Sequence, residues 1–177
     1  PIGVLTAVRQ AVRNLRGQTQ VPDTFTDANF DESAHRKALA NYGSRHFAHL
    51  FFILRLQTLY LHGQHEKAAE FAKLSADYLK DSPGMLHSAE HHFYAALNAA
   101  ALATKATGFK RWKHKQQVRA AHKRFTQWAT NCAENFAARA HLLAAALAGV
   151  EGQWGLMLTA CEAAKQKTTS LPLLALA

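Results

Sequence analysis

Three histidines within six residues, His87, His91 and His92, form the densest cluster of side chains able to ligate a metal or move a proton. His87 and His91 lie four apart, so they share one helix face as two metal ligands would. A third ligand is missing from that face, because Glu90 points away and His92 is rotated about 100° from His91. Structural zinc normally has four well-spaced ligands, and these rings read better as interhelical packing with a hydrogen-bonded imidazole. Adjacent residues on a helix do not face one another, so Glu90 with His91 or His92 makes no acid–base dyad. An enzyme working through this cluster would need a bound metal. The expectation is therefore no catalytic residue, no cofactor and no metal, with His87, His91 and His92 the candidates if a metal were held.

The second chemical signal is charge. The chain carries a formal +9 in 177 residues, and no acid lies between Glu90 and Glu134. That interval holds Lys105, Lys110, Arg111, Lys113, Lys115, Arg119, Lys123 and Arg124. With Trp112 these residues make the candidate interaction patch, with 104–113 read as a basic linker between helices. Such a patch attracts anionic partners in a salt-dependent way. Phe109 and Trp112 within GFKRWKHKQQ add the aromatic interleaving that single-stranded nucleic acid binding uses, although no recognition motif accompanies them. A solvated helix face, or contact with an acidic face of a neighbouring domain, accounts for the same residues. Trp112, Trp128 and Trp154 are expected as core and interface anchors, and Cys132 and Cys161 as small buried apolar residues. With only two cysteines, and those without CxxC spacing, neither a disulfide framework nor a zinc site is expected, and a reducing cytoplasm is the natural compartment.

The elements that would carry these residues are helical. There are 35 alanines against 4 prolines and 9 glycines, and Ala is the best helix former. No alternating β-branched run suggests a strand, and no stretch approaches the ~18 apolar residues needed to cross a bilayer. The expected fold is all-α with about seven helices. Over 4–16, Val4, Leu5, Val8, Val12 and Leu15 share a face that should pack inward, leaving Arg9, Arg13 and Arg16 outside. Residues 18–30 read as a turn-rich connector plugged by Phe25 and Phe30, followed by a short helix capped by Asp31 or Ser33. Long helices follow at about 44–61, 66–80, 86–103, 113–131, 136–149 and 154–167. The first of these is apolar on two flanks, as in a helix sandwiched between neighbours. The tail 168–177 has no place in the pattern, and the start, Pro1-Ile2-Gly3-Val4, reads as a cut inside a longer polypeptide.

HGQHEKAAEFAKLSA and EGQWGLMLTACEAAK follow one pattern. Aligning Gly63 with Gly152 pairs Ala68 with Met157, Ala72 with Cys161 and Ser75 with Ala164. That is a degenerate tetratricopeptide pattern, whose small residues let antiparallel helices approach closely. A tetratricopeptide-like α-solenoid of antiparallel helix pairs is the expected architecture, one domain over 1–167.

Four strings in this order, LRGQTQ…FTDANFDESAHRKAL, LQTLYLHGQHEKAAEFA, SPGMLHSAEHHFYAALNAAAL and FTQWATNCAENF…LLAAALAGVEG, closely resemble one family. It comprises large bacterial multi-sensor signalling ATPases that join a protein-kinase-like domain, an ATPase, a helical repeat region, a GAF sensor and often a histidine kinase. The resemblance covers about residues 10–165 and falls wholly in the helical repeat region. AEHHFYAALNAAAL is similar to the family's AEYHFYGAL, and WATNCAENF to WAENCPENF. Ala133 stands where the family string has proline, which would let that turn relax toward helix. From Thr168 the chain no longer resembles the family's continuation. No phosphate-binding GxxxxGK[ST] loop, HRD or DFG set, or phosphoacceptor-histidine box is present. The resemblance implies a non-enzymatic, cytoplasmic scaffold, contacted by neighbouring domains or a peptide ligand, inside a parent that is a kinase and ATPase. A nucleic-acid-binding helical repeat using 105–124 is the alternative.

Overall fold

The computed structural model describes residues 2–41 and 45–169. Eight α-helices occur there: α1 Ile2–Leu15, α2 Glu32–Asn41, α3 Arg45–Leu61, α4 His65–Ala76, α5 Leu86–Lys105, α6 Gly108–Asn131, α7 Ala133–Glu151 and α8 Trp154–Thr169. A 3-10 turn spans Leu79–Asp81. Among the described residues there is no strand, only an isolated bridge between Asp27 and Phe30. The fold is all-α. By their contacts the residues group into two compact units, Pro1–Ala95 and Ala96–Ala177, with the boundary inside α5.

One device ends three of the helices. At Gly17-Gln18, Gly63-Gln64 and Gly152-Gln153 the glycine takes a left-handed φ of 68°, 70° and 76°. In the second, the Gly63 amide donates to Tyr60 O at 3.0 Å and the Gln64 amide to Leu59 O at 2.9 Å. In the third, Gly152 donates to Gly149 O at 3.2 Å and Gln153 to Ala148 O at 2.9 Å. These paired bonds satisfy carbonyls that a helix end leaves orphaned, and glycine alone adopts the turn without a Cβ penalty. The Gly-Gln likeness between the two hairpins is thus a shared turn, each leading directly into the next helix.

In the first unit α3 is the central element. Phe51, Leu56 and Leu59 are fully buried, and Phe25 from the connector meets Phe51 edge-on at 5.7 Å. Asp31 caps α2, accepting from the amides of Ser33 at 2.7 Å and Ala34 at 3.1 Å. The connector before it is stapled by a buried ion pair. Arg55 Nε donates to Glu32 Oε1 at 2.7 Å, and Arg55 Nη2 to the Asp23 carbonyl at 2.7 Å. The guanidinium lies between the rings of Phe25 and Phe71, 4.6 and 4.9 Å from their centroids. Glu32 Oε2 in turn accepts from the Phe25 amide and the Thr24 hydroxyl.

The first helix turns the other way from its apolar pattern. Ala7, Gln10, Ala11 and Asn14 are buried, whereas Leu5, Val8, Val12 and Leu15 are 69, 42, 49 and 48% exposed. The cause is the connector, whose buried and part-buried carbonyls take their donors from α1. Asn14 Nδ2 donates to Pro22 O at 3.0 Å and Thr24 O at 2.9 Å, and Gln10 Nε2 to Phe25 O at 3.2 Å. His62 Nε2 approaches Asn14 Oδ1 at 3.1 Å. Two amide side chains therefore face inward, and the two alanines permit close approach of α1 to α3.

In the second unit, Ala99, Ala100 and Ala103 of α5 pack with Val118 of α6 and Val150 of α7. Phe125, Trp128 and Phe136 form an aromatic triangle with centroids 5.0–5.9 Å apart between α6 and α7. Residues 108–113, expected as linker, are the first turns of α6, since Phe, Lys, Arg and Trp are all compatible with a helix and no proline interrupts them. The turn at Cys132 does not relax toward helix. Cys132 leaves helical geometry at φ −149°, and Ala133 takes the first position of α7, where proline is equally acceptable. Likewise Thr168 and Thr169 extend α8 rather than beginning an irregular tail; the rest of that tail lies outside the described residues.

Candidate interaction surface

The basic run divides into two sets once α6 is formed. At 100° per residue, Val118, Ala121 and Phe125 lie on the buried side. Arg111, Lys115 and Arg119 fall beside it and are spent internally on the end of α7. Arg111 Nη2 donates to Val150 O at 2.9 Å. Lys115 Nζ and Arg119 Nη2 both reach Glu151 Oε1 at 2.8 Å. Cations are favourable at a helix C-terminus, where carbonyls lack partners. The hydrogen bond from Lys115, with its charge and that of Arg119, holds the Glu151 carboxyl below the usual carboxylate range.

The other set stays outside. Phe109 and Trp112 are 74 and 54% exposed and stack on each other, centroids 5.4 Å apart and planes 22° off parallel. Lys105, Lys110, Lys113, Lys123 and Arg124 are exposed as well. Of the three tryptophans only Trp128 packs as an anchor. Trp154 is 63% exposed, next to Leu156 and Leu158 at 61% each. The cysteines are also not buried: both are free thiols, Cys161 exposed and Cys132 half-buried, so Cys161 does not share the surroundings of Ala72, which packs against the core of the first unit.

His87, His91 and His92 are brought together with two residues that sequence reasoning missed, His46 and His49 on α3. His87 lies 4.6 Å from His46 and 5.0 Å from His49, centroid to centroid. His91 is 6.4 Å from His49 and 5.2 Å from His92. The only signal in the chain was the i, i+3 spacing of His46 and His49 in RHFAHL, which puts both on one side of α3. His46 Nδ1 meets Ser82 Oγ at 3.2 Å, and His91 Nδ1 meets Ser75 Oγ at 2.5 Å. His49 is fully buried and neither ring nitrogen has a hydrogen-bond partner; His87 Nε2 is in the same state. Burial, reinforced by the neighbouring His87 and His46, pushes His49 down to about 4. It lowers His87 too. Among the described residues no group of three or more His, Cys, Asp or Glu is arranged to hold a metal ion. The Ser75–His91 contact resembles a nucleophile and its base, but Ser75 is fully buried, so no substrate reaches its Oγ.

A pocket of about 340 Å³ opens beside the connector, lined by Asp23, Glu32, Arg36, Arg55, Lys67 and Phe71 among others. Four of its charges are consumed in pairs, Arg55 with Glu32 and Lys67 with Asp23, and the Arg36 guanidinium lies over the Phe71 ring, 5.2 Å from its centroid. The hydrogen bond from Lys67 holds Asp23 below its ordinary value. Among the described residues no helix is long and apolar enough to cross a membrane. Against family models, curated proteins and solved structures the chain has no match.

Proposed function

We propose that this chain is a non-catalytic helical scaffold that holds protein partners, the regulatory repeat segment of a large bacterial signal-transduction ATPase-kinase acting in the cytoplasm. The observation that carries the reading is the outer face of α1. Leu5, Val8, Val12 and Leu15 recur at steps of three, four and three residues and are 42–69% exposed. Apolar residues at that spacing form the seam that one helix offers another. A contiguous apolar stripe on a helix surface marks an interaction site. An amphipathic helix from a neighbouring domain or a peptide ligand is the partner such a stripe accepts. Stacking of further tetratricopeptide-like helix pairs on this edge would extend the array, since each repeat buries its apolar face only against the next. The family resemblance supplies the parent, in which partner binding to this segment would bias the nucleotide state of the ATPase.

The test uses the parent protein. Leu5→Glu with Val12→Glu should leave the helical content of this segment unchanged and abolish the dependence of ATP turnover on the partner domain. Deleting residues 40–165 should abolish that regulation as well. Turnover and regulation unchanged in both variants would refute the reading.

A further inference from the structure

We infer that the outward face of α6 is a binding surface for single-stranded nucleic acid, with Phe109 and Trp112 as base-stacking platforms and Lys113 and Lys123 as phosphate contacts. The inference stands on its own residues and does not depend on the stripe of α1.

The face is defined by the helix itself. With Val118, Ala121 and Phe125 buried, the opposite side carries Phe109, Trp112, Lys113, Gln116, Ala120 and Lys123 at 100° per residue. Phe109 and Lys123 are then about 21 Å apart along the axis, a strip long enough to follow an extended backbone. Every position of α6 is free of acid, and the nearest acids in sequence are Glu90 and Glu134. The internal needs of the unit are met by Arg111, Lys115 and Arg119. Lys113 and Lys123 are exposed and form none of the ion pairs found among the described residues. The aromatic pair sits on the first turn of α6, whose N-cap Thr107 makes no side-chain hydrogen bond. The positive end of the helix dipole therefore adds to the field that the lysines set up.

The aromatics decide between two anionic partners. An acidic peptide gains affinity from apolar anchors that enter pockets, yet the pair stands out from a convex helix surface, and the pocket described above belongs to the other unit. A nucleobase needs only an open ring face beside positive charge. Base–aromatic stacking and backbone-tracking lysines are together how sequence-tolerant single-strand binding works. Two large rings held in water at 74 and 54% exposure are otherwise unfavourable surface.

The experiment is a fluorescence anisotropy titration of a labelled 15-mer oligothymidylate with the 177-residue chain. Two phosphate contacts predict a log–log salt slope near −1.4, so affinity should fall about sevenfold between 50 and 200 mM salt. Phe109→Ala with Trp112→Ala should cost about tenfold or more and keep that slope. Lys113 and Lys123 both changed to Gln should flatten it. These positions are exposed, and unchanged circular dichroism verifies that each variant is folded. No binding at 50 mM salt overturns the proposal. So does an unaltered affinity in the double alanine variant, or equal binding of a same-length duplex, whose bases are already stacked. Poly-glutamate binding as tightly as the oligonucleotide would also overturn it, assigning the face to acidic proteins.

Discussion

His49 makes the first unit acid-sensitive, and the size of the effect follows from where it sits. The ring is fully buried on α3, both nitrogens lack partners, and its charged surroundings are mainly other imidazoles, His87, His46 and His92, with Asp81 the acid that opposes them. Its value in the folded chain is about 4, against the ordinary 6.5. The neutral ring is therefore the form that the folded state holds. Stability from His49 is fully present above pH 6.5, falls as the pH drops below it, and is exhausted near pH 4. Linkage gives about 3 kcal/mol over the whole window and about 2 kcal/mol by pH 5. His87 is lowered for the same reasons, burial first and His46 second, and adds to the slope. The measurement is urea unfolding at constant ionic strength from pH 7.5 to 5, on the native chain and on His49→Leu. This window is chosen because Asp23, Asp27 and Glu151, all lowered, bind protons mainly below it. The native chain should lose about 2 kcal/mol more than the variant. Equal losses, or an NMR titration placing His49 near its ordinary value, would refute the argument that burial without partners controls this ring.

Two further substitutions probe the connector. Glu32→Ala leaves the Arg55 guanidinium buried without its anion and should cost about 3–5 kcal/mol, whereas adding Arg55→Met should recover most of that loss; both are read by chemical denaturation. Asn14→Leu improves the apolar character of α1 but orphans the carbonyls of Pro22 and Thr24, so it should destabilise by about 3 kcal/mol, and a neutral or stabilised variant would show that those carbonyls find water instead.

The helices were legible because alanine richness and the Gly-Gln punctuation act locally. Gly17, Gly63 and Gly152 each end a helix with the same left-handed turn, and Asp31 caps α2 as its residue type demands. What could not be read is what depends on partners distant in the chain. The inward face of α1 follows from carbonyls at 22–25, outside the helix, and no periodicity within VLTAVRQAVRNLR encodes them. His46 and His49 join His87 only because α3 and α5 bring together positions about forty residues apart. The start of α6 departs from the expected linker for a different reason. Charge within 104–113 suggests a solvated linker, yet Lys and Arg are good helix formers, and Gly108, at φ 54°, is where the chain turns into the helix.

Asn14 and the exposed stripe of α1 have a single cause. The connector presents carbonyls at Pro22, Thr24 and Phe25 to α1, and these are met by Asn14 and Gln10. A helix with amide side chains at positions 10 and 14 facing inward must turn residues 5, 8, 12 and 15 outward, because positions two apart differ by about 200° around the axis. The choice is energetic: leaving a buried carbonyl such as that of Phe25 unmatched costs about 1–3 kcal/mol, the part-buried ones at Pro22 and Thr24 add to it, and Phe25 already fills the apolar space against Phe51. The polar staple thus takes precedence within the chain and leaves the apolar stripe for another helix to cover. A variant without the amide donors, Gln10→Leu with Asn14→Leu, should rotate α1 to bury Val8 and Val12, whereas a stripe that stays exposed would show that something other than the staple orients the helix. Proteolytic protection of residues 5–15 in such a variant distinguishes the two.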